Sequence, residues 1–242
     1  MLIETRGIVF RTLKYSESSL IVDIFTEAKG LQSYIVNGVR SQRSKHNASI
    51  YQVMTLVDMV AGVREDKGLS RIKEIKSACV YRAIPFDVRK SAVGLFMAEI
   101  ARKTIREAEA HPELFNFLYQ TFQFLDQTQQ PISNLHLHFL VELSAYLGFM
   151  PGGDLTLDTP VFDLQEGVFS DNSPAAAYCL DLELSKAFYA LLNSNFTECH
   201  LLRLPAGQRR QLLNKLSDYY RLHLEHLPEI HSHQILDRKS VV

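Results

Sequence analysis

The sequence predicts an α+β protein, with a small five-stranded β-barrel at its N-terminal end and a mainly α-helical region behind it. Two observations predict this fold class. The first 80 residues contain short runs of β-branched and aromatic residues separated by turn signals. Beyond residue 80 the apolar residues recur every three or four positions, which is the period of an α-helix. We therefore predict two domains, residues 1–80 and residues 81–242.

Five strands are predicted in the first domain, at residues 6–11, 19–25, 31–36, 53–60 and 69–79. Gly30 can take a positive φ in the turn between the second and third strands. In the last segment Leu69, Ile72 and Ile75 recur every three residues, which also fits a helix, but its position after the polar turn 64–68 favours a strand. Five short strands in 80 residues are typical of a small barrel such as the OB-fold.

Five helices are predicted in the second domain, at residues 93–105, 112–125, 132–147, 182–192 and 208–227. Pro112 suits the first turn of a helix, and Gly148 suits a C-terminal stop. Residues 149–178 are rich in Gly, Pro, Asp and Ser, so we predict an irregular insert there. Within it, residues 161–164 and 167–169 are predicted to form a short hairpin.

Composition favours a protein of a reducing compartment. The chain has three cysteines, Cys79, Cys179 and Cys199, and an odd number cannot all pair in disulfides. It contains no CxxC motif of the kind that indicates a zinc site. No run of eighteen apolar residues occurs, and residues 1–6 lack the pattern of a signal peptide. We expect a cytoplasmic protein without a metal or other cofactor.

The net charge of −1 conceals an asymmetry along the chain. Residues 1–80 carry twelve Lys and Arg against eight Asp and Glu, whereas residues 81–242 carry fourteen against nineteen. The basic half is therefore the candidate for contact with a polyanion. Its most basic stretch contains Arg40, Arg43 and Lys45 among serines, asparagines and glycine, and such a loop can follow a phosphate backbone without reading bases. The alternative is a solvated loop between strands.

Further residues of the first domain are candidates for nucleic-acid contact. The cations among them are Lys14, Arg11, Arg71 and Lys73. On an OB-fold, nucleic acid lies across one face, held by basic groups and stacked on aromatic rings. Tyr15, Phe25, Tyr34 and Tyr51 are possible stacking residues, and Tyr15 and Tyr34 are favoured because each lies beside polar residues. The alternative is that the barrel aromatics, including Phe25 and Tyr51, fill the core.

Sequence motifs of catalysis are absent. The chain has no GxxxxGK[ST] phosphate loop, no GxGxxG after a strand and no GxSxG elbow, which favours binding over an enzymatic function. His136 and His138 are two positions apart, so a helix places them on different faces. His223 and His226 can share a face, but no set of four zinc ligands accompanies them.

Short motifs follow one another in a particular order along nearly the whole chain. In the first domain they are Gly7-Ile8-Val9-Phe10, Tyr15-Ser16-Glu17, Phe25-Thr26-Glu27-Ala28-Lys29-Gly30-Leu31 and the basic stretch at 36–45. In the second domain they are Phe139-Leu140-Val141-Glu142-Leu143, Tyr146-Leu147-Gly148-Phe149-Met150-Pro151, Arg210-Gln211-Leu212-Leu213 and Tyr219-Tyr220-Arg221-Leu222-His223-Leu224. Their order and spacing together resemble the RecO family of bacterial DNA-repair mediators.

The resemblance implies an OB-fold followed by a helical domain. It also implies a protein that binds single- and double-stranded DNA and anneals complementary strands. It implies that the protein works with RecR and the C-terminal tail of the single-stranded DNA-binding protein to load RecA. Many members carry four zinc-binding cysteines after the Gly-Phe-x-Pro segment. Here the insert holds only Cys179 nearby, so Phe162, Phe169 and Tyr178 are expected to hold it by packing.

A partner protein tail with acidic and aromatic ends would need an apolar groove rimmed by cations. The candidates for such a rim are Arg102, Lys103 and Arg106 on the first helix, and Arg209, Arg210 and Lys215 on the last. The alternative is that these residues form ordinary solvated helix faces. An adaptor that binds only protein, and a hydrolase without a familiar motif, are the rival functional readings.

Overall fold

The N-terminal part of the chain forms a closed five-stranded barrel. The computed structural model describes residues 2–39, 48–62, 69–105, 109–171, 178–232 and 236. The barrel strands are β1 (Leu2–Lys14), β2 (Leu20–Thr26), β3 (Gly30–Val36), β4 (Leu56–Gly62) and β5 (Ser70–Ser77). Their order around the barrel is β1-β2-β3-β5-β4, with a short parallel pair between β3 and β5 and antiparallel pairs elsewhere. The predicted OB-fold is confirmed, and the segment at 69–79 is a strand.

Strand β1 is longer than the sequence predicted because it serves two neighbours. Leu2–Ile8 pairs with β4, and Gly7–Lys14 pairs with β2. The register with β2 shifts between Val9 and Arg11, which leaves Phe10 as the extra residue of a bulge. A bulge bends a strand, and this bend lets one long strand close the barrel.

Alternating apolar residues fill the barrel, as expected for strands with one buried face. Val22, Ile24, Tyr34, Val57 and Met59 are all 2% exposed or less and belong to one cluster. A short 3₁₀ helix, Ala48–Tyr51, lies in a segment for which the sequence predicted no element, and Tyr51 packs into the same cluster.

The rest of the described chain contains five α-helices, a short 3₁₀ helix (Cys199–Leu201) and a two-stranded hairpin. The helices are α1 (Val88–Thr104), α2 (Pro112–Gln127), α3 (Leu135–Tyr146), α4 (Leu182–Leu192) and α5 (Ala206–His223), and the hairpin strands are β6 (Val161–Asp163) and β7 (Val168–Ser170). Helix α5 ends four residues before its predicted end. His226 has a φ of 54°, which an α-helix cannot include.

The described chain divides into two compact units. The first comprises Met1–Asp87 and Ile105–Thr128, and the second comprises Val88–Thr104 and Gln129–Val242. Helix α2 thus belongs to the same unit as the barrel, and α1 to the other. The division of the sequence near residue 80 stays a prediction.

Arg6 of β1 attaches α2 to the barrel. Its guanidinium forms two hydrogen bonds with the Glu27 carboxylate, at 2.7 and 2.9 Å, and a third with Asn116 Oδ1 at 2.8 Å. The same group lies 5.2 Å and 5.0 Å from the ring centres of Phe115 and Tyr119, within cation–π range. A hydrogen bond from Arg6 therefore lowers the pKa of Glu27.

Asp126 of α2 holds the backbone of residues 82–84, which follow β5 in the same unit. Its carboxylate accepts hydrogen bonds from three consecutive backbone N–H groups, those of Arg82, Ala83 and Ile84, at 2.8 to 3.0 Å. Asp126 is only 6% exposed. The bonded carboxylate therefore fixes the backbone that follows β5.

In the second unit, α3 is the central helix and packs against α1, α4 and α5. The β6–β7 hairpin is attached to this unit by aromatic packing. Phe162, fully buried, makes edge-to-face contacts with Phe169 at 5.1 Å and with Phe188 of α4 at 4.7 Å between ring centres. The predicted packing role of Phe162 and Phe169 is confirmed. Tyr178 is 50% exposed, so its predicted core role is wrong: its ring lies at the surface.

Candidate nucleic-acid interface

The basic stretch that the sequence predicts to contact phosphate begins at the end of β3. Arg40, Arg43 and Lys45 lie outside the described residues. The chain enters this stretch through Gly38, whose φ of 74° is in the left-handed region, and through Val39, which is 4% exposed. The starting point of the stretch is thus fixed at one end of the barrel.

Two other predicted cations lie at the same end of the barrel. Lys14 pairs with Leu20, Leu20 pairs with Val36, and the neighbouring Ile35 pairs with Arg71. This register places Lys14 level with Val36 at the exit of β3, and Arg71 one residue away in the neighbouring row, so both cations lie at the same end of the barrel in rows that alternate in face. Three strand spacings of about 4.8 Å and an offset of one residue put the Lys14 and Arg71 backbones at most about 15 Å apart. Both side chains are exposed, and neither forms an ion pair within the described ranges.

The other two barrel cations have acidic neighbours. Arg11 Nε donates to Asp23 Oδ2 at 2.6 Å, and Asp23 is nearly buried, so this arginine is held against the barrel wall. Lys73 Nζ lies 4.0 Å from Glu74 Oε1, with both side chains largely exposed. Because each of these cations has a carboxylate beside it, they attract phosphate less than Lys14 and Arg71 do.

Lys73 also borders a groove that runs along β4 and β5. The groove encloses about 500 Å³ and is lined by Glu4, Asp58, Met59, Val60, Lys73, Glu74, Ile75 and Lys76. Three carboxylates against two ammonium groups give this surface a net negative character. A phosphate backbone is therefore disfavoured along it.

The predicted stacking role of Tyr34 is wrong. Tyr34 is 2% exposed and lies in the barrel core, where burial raises its pKa to about 12. Phe25 and Tyr51 are also buried, as expected from the alternative interpretation in which the barrel aromatics fill the core. Tyr15 differs, because its ring is 61% exposed and lies next to Lys14. It is the one predicted stacking residue among these four whose ring faces are available.

The structure adds an apolar row that sequence reasoning missed. Leu13, Ile21 and Ile35 are consecutive cross-strand partners, and the row continues to Arg71. Leu13 is 43% exposed and the two isoleucines are partly exposed. The signal was available as alternation along β1–β3, but an apolar residue in a strand does not reveal which face it occupies.

The six cations predicted for a protein partner have different surroundings. Lys103 Nζ bonds Glu99 Oε1 at 2.5 Å and also donates to the Glu229 carbonyl, and its side chain is only 10% exposed. Its assignment to an open rim is therefore wrong. Arg209 is partly buried and donates to the Leu204 carbonyl, and desolvation lowers its pKa. Arg210 is exposed and Arg102 and Lys215 are partly exposed, while Arg106 lies outside the described residues.

The histidines of α3 are structural. His136 and His138 are 0% and 1% exposed. His138 Nε2 lies 2.8 Å from the Ser194 carbonyl oxygen, whereas both ring nitrogens of His136 have no hydrogen-bond partner within the described residues. Burial, and secondly the charge of Arg209, lower the pKa of His136 to about 3. Within the described residues no three His, Cys, Asp or Glu side chains cluster as metal ligands would.

Replacing His136 with leucine is expected to reduce the acid sensitivity of folding. The histidine pKa is near 6.5 in the unfolded chain and about 3 in the folded one, so stability present above pH 6.5 is lost as the pH falls toward 3. Between about pH 7.5 and about pH 5 this single group lowers the free energy of unfolding by about 2 kcal/mol. Urea unfolding of the wild-type chain and His136→Leu at both pH values measures the difference.

The matched control is His226→Asn, which changes an exposed histidine and keeps a residue type that tolerates positive φ. It should retain the wild-type pH difference. An unchanged pH difference in His136→Leu would mean that His136 does not stay neutral in the folded protein.

None of the helices in the described part of the chain is both long enough and apolar enough to cross a membrane.

Comparisons with known proteins agree over almost the whole chain. A family model described as "Recombination protein O N terminal" matches residues 1–81, and one described as "Recombination protein O C terminal" matches residues 85–232. A protein named DNA repair protein RecO from Christiangramia forsetii is 38% identical, with 93% of each chain covered. Proteins of the same name from Phocaeicola vulgatus and Bacteroides fragilis are 33% and 34% identical, with 98% of each chain covered.

Proposed function

Because the chain belongs to the RecO family, we propose that it takes part in DNA repair and recombination by binding DNA rather than by catalysing a reaction. The proposal includes binding of single- and double-stranded DNA and annealing of complementary strands. It also includes the loading of RecA together with RecR and the C-terminal tail of the single-stranded DNA-binding protein. This role puts the chain in the cytoplasm with the chromosome.

The observation that supports DNA binding is the strand register at one end of the barrel. Lys14, Arg71 and the start of the basic stretch lie within one residue of the same level at this end, and no carboxylate pairs with either cation within the described ranges. Unpaired cations at one end of the barrel attract phosphates and release condensed counterions. Tyr15 and the row of Leu13, Ile21 and Ile35 border the same level and offer apolar surface to unpaired bases.

Annealing follows from charge neutralisation in this proposal. Two DNA strands repel each other through their phosphates, and cations that hold both backbones screen that repulsion. Arg40, Arg43 and Lys45 add three positive charges to the sequence that follows β3. Contacts to phosphate carry no sequence information, so strands of any sequence are held, and their bases remain able to pair. The step needs neither fuel nor covalent chemistry.

The double variant Lys14→Ala/Arg71→Ala is expected to bind DNA with a weaker dependence on salt. Each lost phosphate contact on single-stranded DNA lowers the slope of log K against log salt by about 0.7, so the pair lowers it by about 1.4. Fluorescence titration of a labelled single-stranded oligonucleotide between about 50 mM and about 200 mM salt measures the slope. Changing Arg40, Arg43 and Lys45 together to alanine is expected to lower it by about 2 and to slow annealing.

Lys29→Ala is the matched control. Lys29 is exposed in the β2–β3 turn, at the opposite end of the hairpin, about 20 Å along the strands from the level of Lys14. The control removes one positive charge from the same unit, and we expect its slope to match the wild type. Equal slopes for the double variant and the wild type would contradict the proposed interface.

The same titration separates the rival functions. An adaptor that binds only protein leaves the oligonucleotide signal unchanged at low salt. A nuclease shortens the oligonucleotide, and a nucleotide hydrolase releases phosphate. For the protein partners, Arg102, Arg210 and Lys215 remain the proposed contacts of an acidic tail, and their replacement is expected to weaken such a tail without changing the DNA titration.

A further inference from the structure

Three side chains form a polar row on the outer wall of the barrel. Arg11 of β1 is the cross-strand partner of Asp23 on β2, and Asp23 is the partner of Ser33 on β3. Arg11 Nε donates to Asp23 Oδ2 at 2.6 Å, and the Ser33 hydroxyl donates to Asp23 Oδ1 at 2.7 Å. Each oxygen of this carboxylate is thus bonded to a side chain of a neighbouring strand.

This polar row lies beside the apolar row of Leu13, Ile21 and Ile35. On each of the three strands the residues of the two rows are two positions apart, so both rows occupy the same face of the sheet, about 7 Å from each other. Arg71 continues the apolar row at the end of the barrel that the proposed DNA interface occupies. Asp23 therefore places a negative charge on the face whose apolar row is offered to unpaired bases.

The ion pair holds the charge of Arg11 in place. The side chain of Asp23 is 8% exposed, whereas that of Arg11 is 37% exposed. Within the described residues, the Arg11 side chain has no other hydrogen bond or ion pair. If a DNA phosphate captured this guanidinium, Asp23 would stay almost buried without its cation, and an unpaired buried charge is strongly unfavourable. Lys14 and Arg71 leave no such charge behind when they contact a phosphate.

We propose that Asp23 is a positioning residue that keeps Arg11 from contacting DNA phosphates, and so confines the backbone of a bound strand to the Lys14 and Arg71 end of the barrel. This inference rests on the DNA binding proposed above. The carboxylate row and the cationic end lie on opposite sides of the apolar row, so phosphate is attracted to one side of that row only. The bases of the strand lie over the apolar row itself.

The restraint on Arg11 suits a protein that anneals strands. Each additional phosphate contact makes binding tighter at low salt and steepens its dependence on salt. Strands that have paired must leave the protein as a duplex, and differences in affinity at one interface appear mostly in the rate of dissociation. Asp23 thus lowers the affinity for DNA and shortens the lifetime of the complex.

Asp23→Asn is expected to bind single-stranded DNA more tightly at about 50 mM salt, with a slope of log K against log salt that is steeper by about 0.7. The amide is neutral, so Arg11 is released to contact one phosphate. A merely structural role for Asp23 predicts weaker or unchanged binding and no steeper slope. The measurement is a fluorescence titration between about 50 mM and about 200 mM salt, on variants shown to be folded by circular dichroism.

A double variant tests whether the gain acts through Arg11. In Arg11→Gln/Asp23→Asn both charges are replaced by amides, and the slope is expected to return to the wild-type value. A slope below that of the wild type by about 0.7 would show that Arg11 contacts phosphate in the unchanged protein, and would overturn the inference. A slope as steep as that of Asp23→Asn would also overturn it, because Arg11 would then not be needed. The double variant decides the question by itself if Asp23→Asn does not fold.

Glu27→Gln is the matched control, because it also removes the carboxylate of an arginine pair in the same unit. Its partner Arg6 is exposed to the same extent as Arg11, at 37%, but Glu27 lies in the β2–β3 turn, away from the Lys14 end. The slope of this control should equal that of the wild type. An unchanged slope in Asp23→Asn would contradict the inference and leave DNA binding through Lys14 and Arg71 in place. A wild-type chain that does not bind the oligonucleotide at low salt would contradict both.

Discussion

Phe162→Ala is expected to lower the free energy of unfolding of the second unit by about 3–5 kcal/mol. Phe162 is fully buried and its ring touches Phe169, Phe188 and Tyr219. Its backbone also joins the hairpin to its surroundings, because its N–H donates to Ser185 Oγ and its carbonyl accepts from Leu180. Removing the ring leaves a cavity at the point where hairpin and helix meet.

Denaturant unfolding followed by circular dichroism measures this loss. Leu157→Ala is the control, because Leu157 belongs to the same insert and is 99% exposed, so we expect a change within about 0.5 kcal/mol. Adding a metal chelator is expected to leave the unfolding midpoint of the wild-type chain unchanged, since ring packing needs no ligand. A large shift with the chelator, or a small effect of Phe162→Ala, would contradict the view that aromatic packing holds the insert.

Asp126→Ala is expected to destabilise the first unit by about 2–4 kcal/mol. The substitution removes a nearly buried carboxylate and leaves the N–H groups of Arg82, Ala83 and Ile84 without this acceptor. A buried donor that loses its partner bears the cost of its own desolvation. Asp126→Asn should cost less, because the amide oxygen can still accept from the same backbone.

Hydrogen exchange at Arg82, Ala83 and Ile84 locates the effect, and urea unfolding gives its size. We expect faster exchange at these three amides in Asp126→Ala. Glu113→Ala, an exposed acidic residue in the first turn of the same helix, is the control and should change neither measurement by much. Slow exchange at residues 82–84 in Asp126→Ala would show that the carboxylate does not fix this backbone.

The sequence predicted the barrel well because strand alternation and turn glycines are local signals. Gly30 takes the predicted positive φ, at 62°, in the β2–β3 turn. The bulge at Phe10 could not be predicted, since it arises from pairing with two strands that are distant in sequence. The predicted end of α5 was wrong because apolar residues continue to Leu227, whereas the backbone is already extended at Leu224, with φ of −118° and ψ of 114°.

The candidate site was harder to predict because a charged residue looks the same in sequence whether it is paired or open. Lys103, for example, was predicted to lie on an open rim, yet it is held by Glu99 and by the C-terminal segment. Asp126 gave no signal at all, because its partners are backbone groups more than forty positions away. Tyr34 was misassigned, since a polar neighbour in a strand points to the other face and says nothing about the tyrosine itself.

The membership of α2 in the barrel unit has a consequence for how the protein is made. The ribosome synthesises the five strands first and then α1, which belongs to the other unit. Helix α2, which contains Asn116 and Asp126, is synthesised only after α1. The barrel unit is therefore incomplete on the ribosome until residue 128 has emerged. A gene fragment designed to express the barrel alone should carry residues 105–128 as well, for example through a short linker in place of α1.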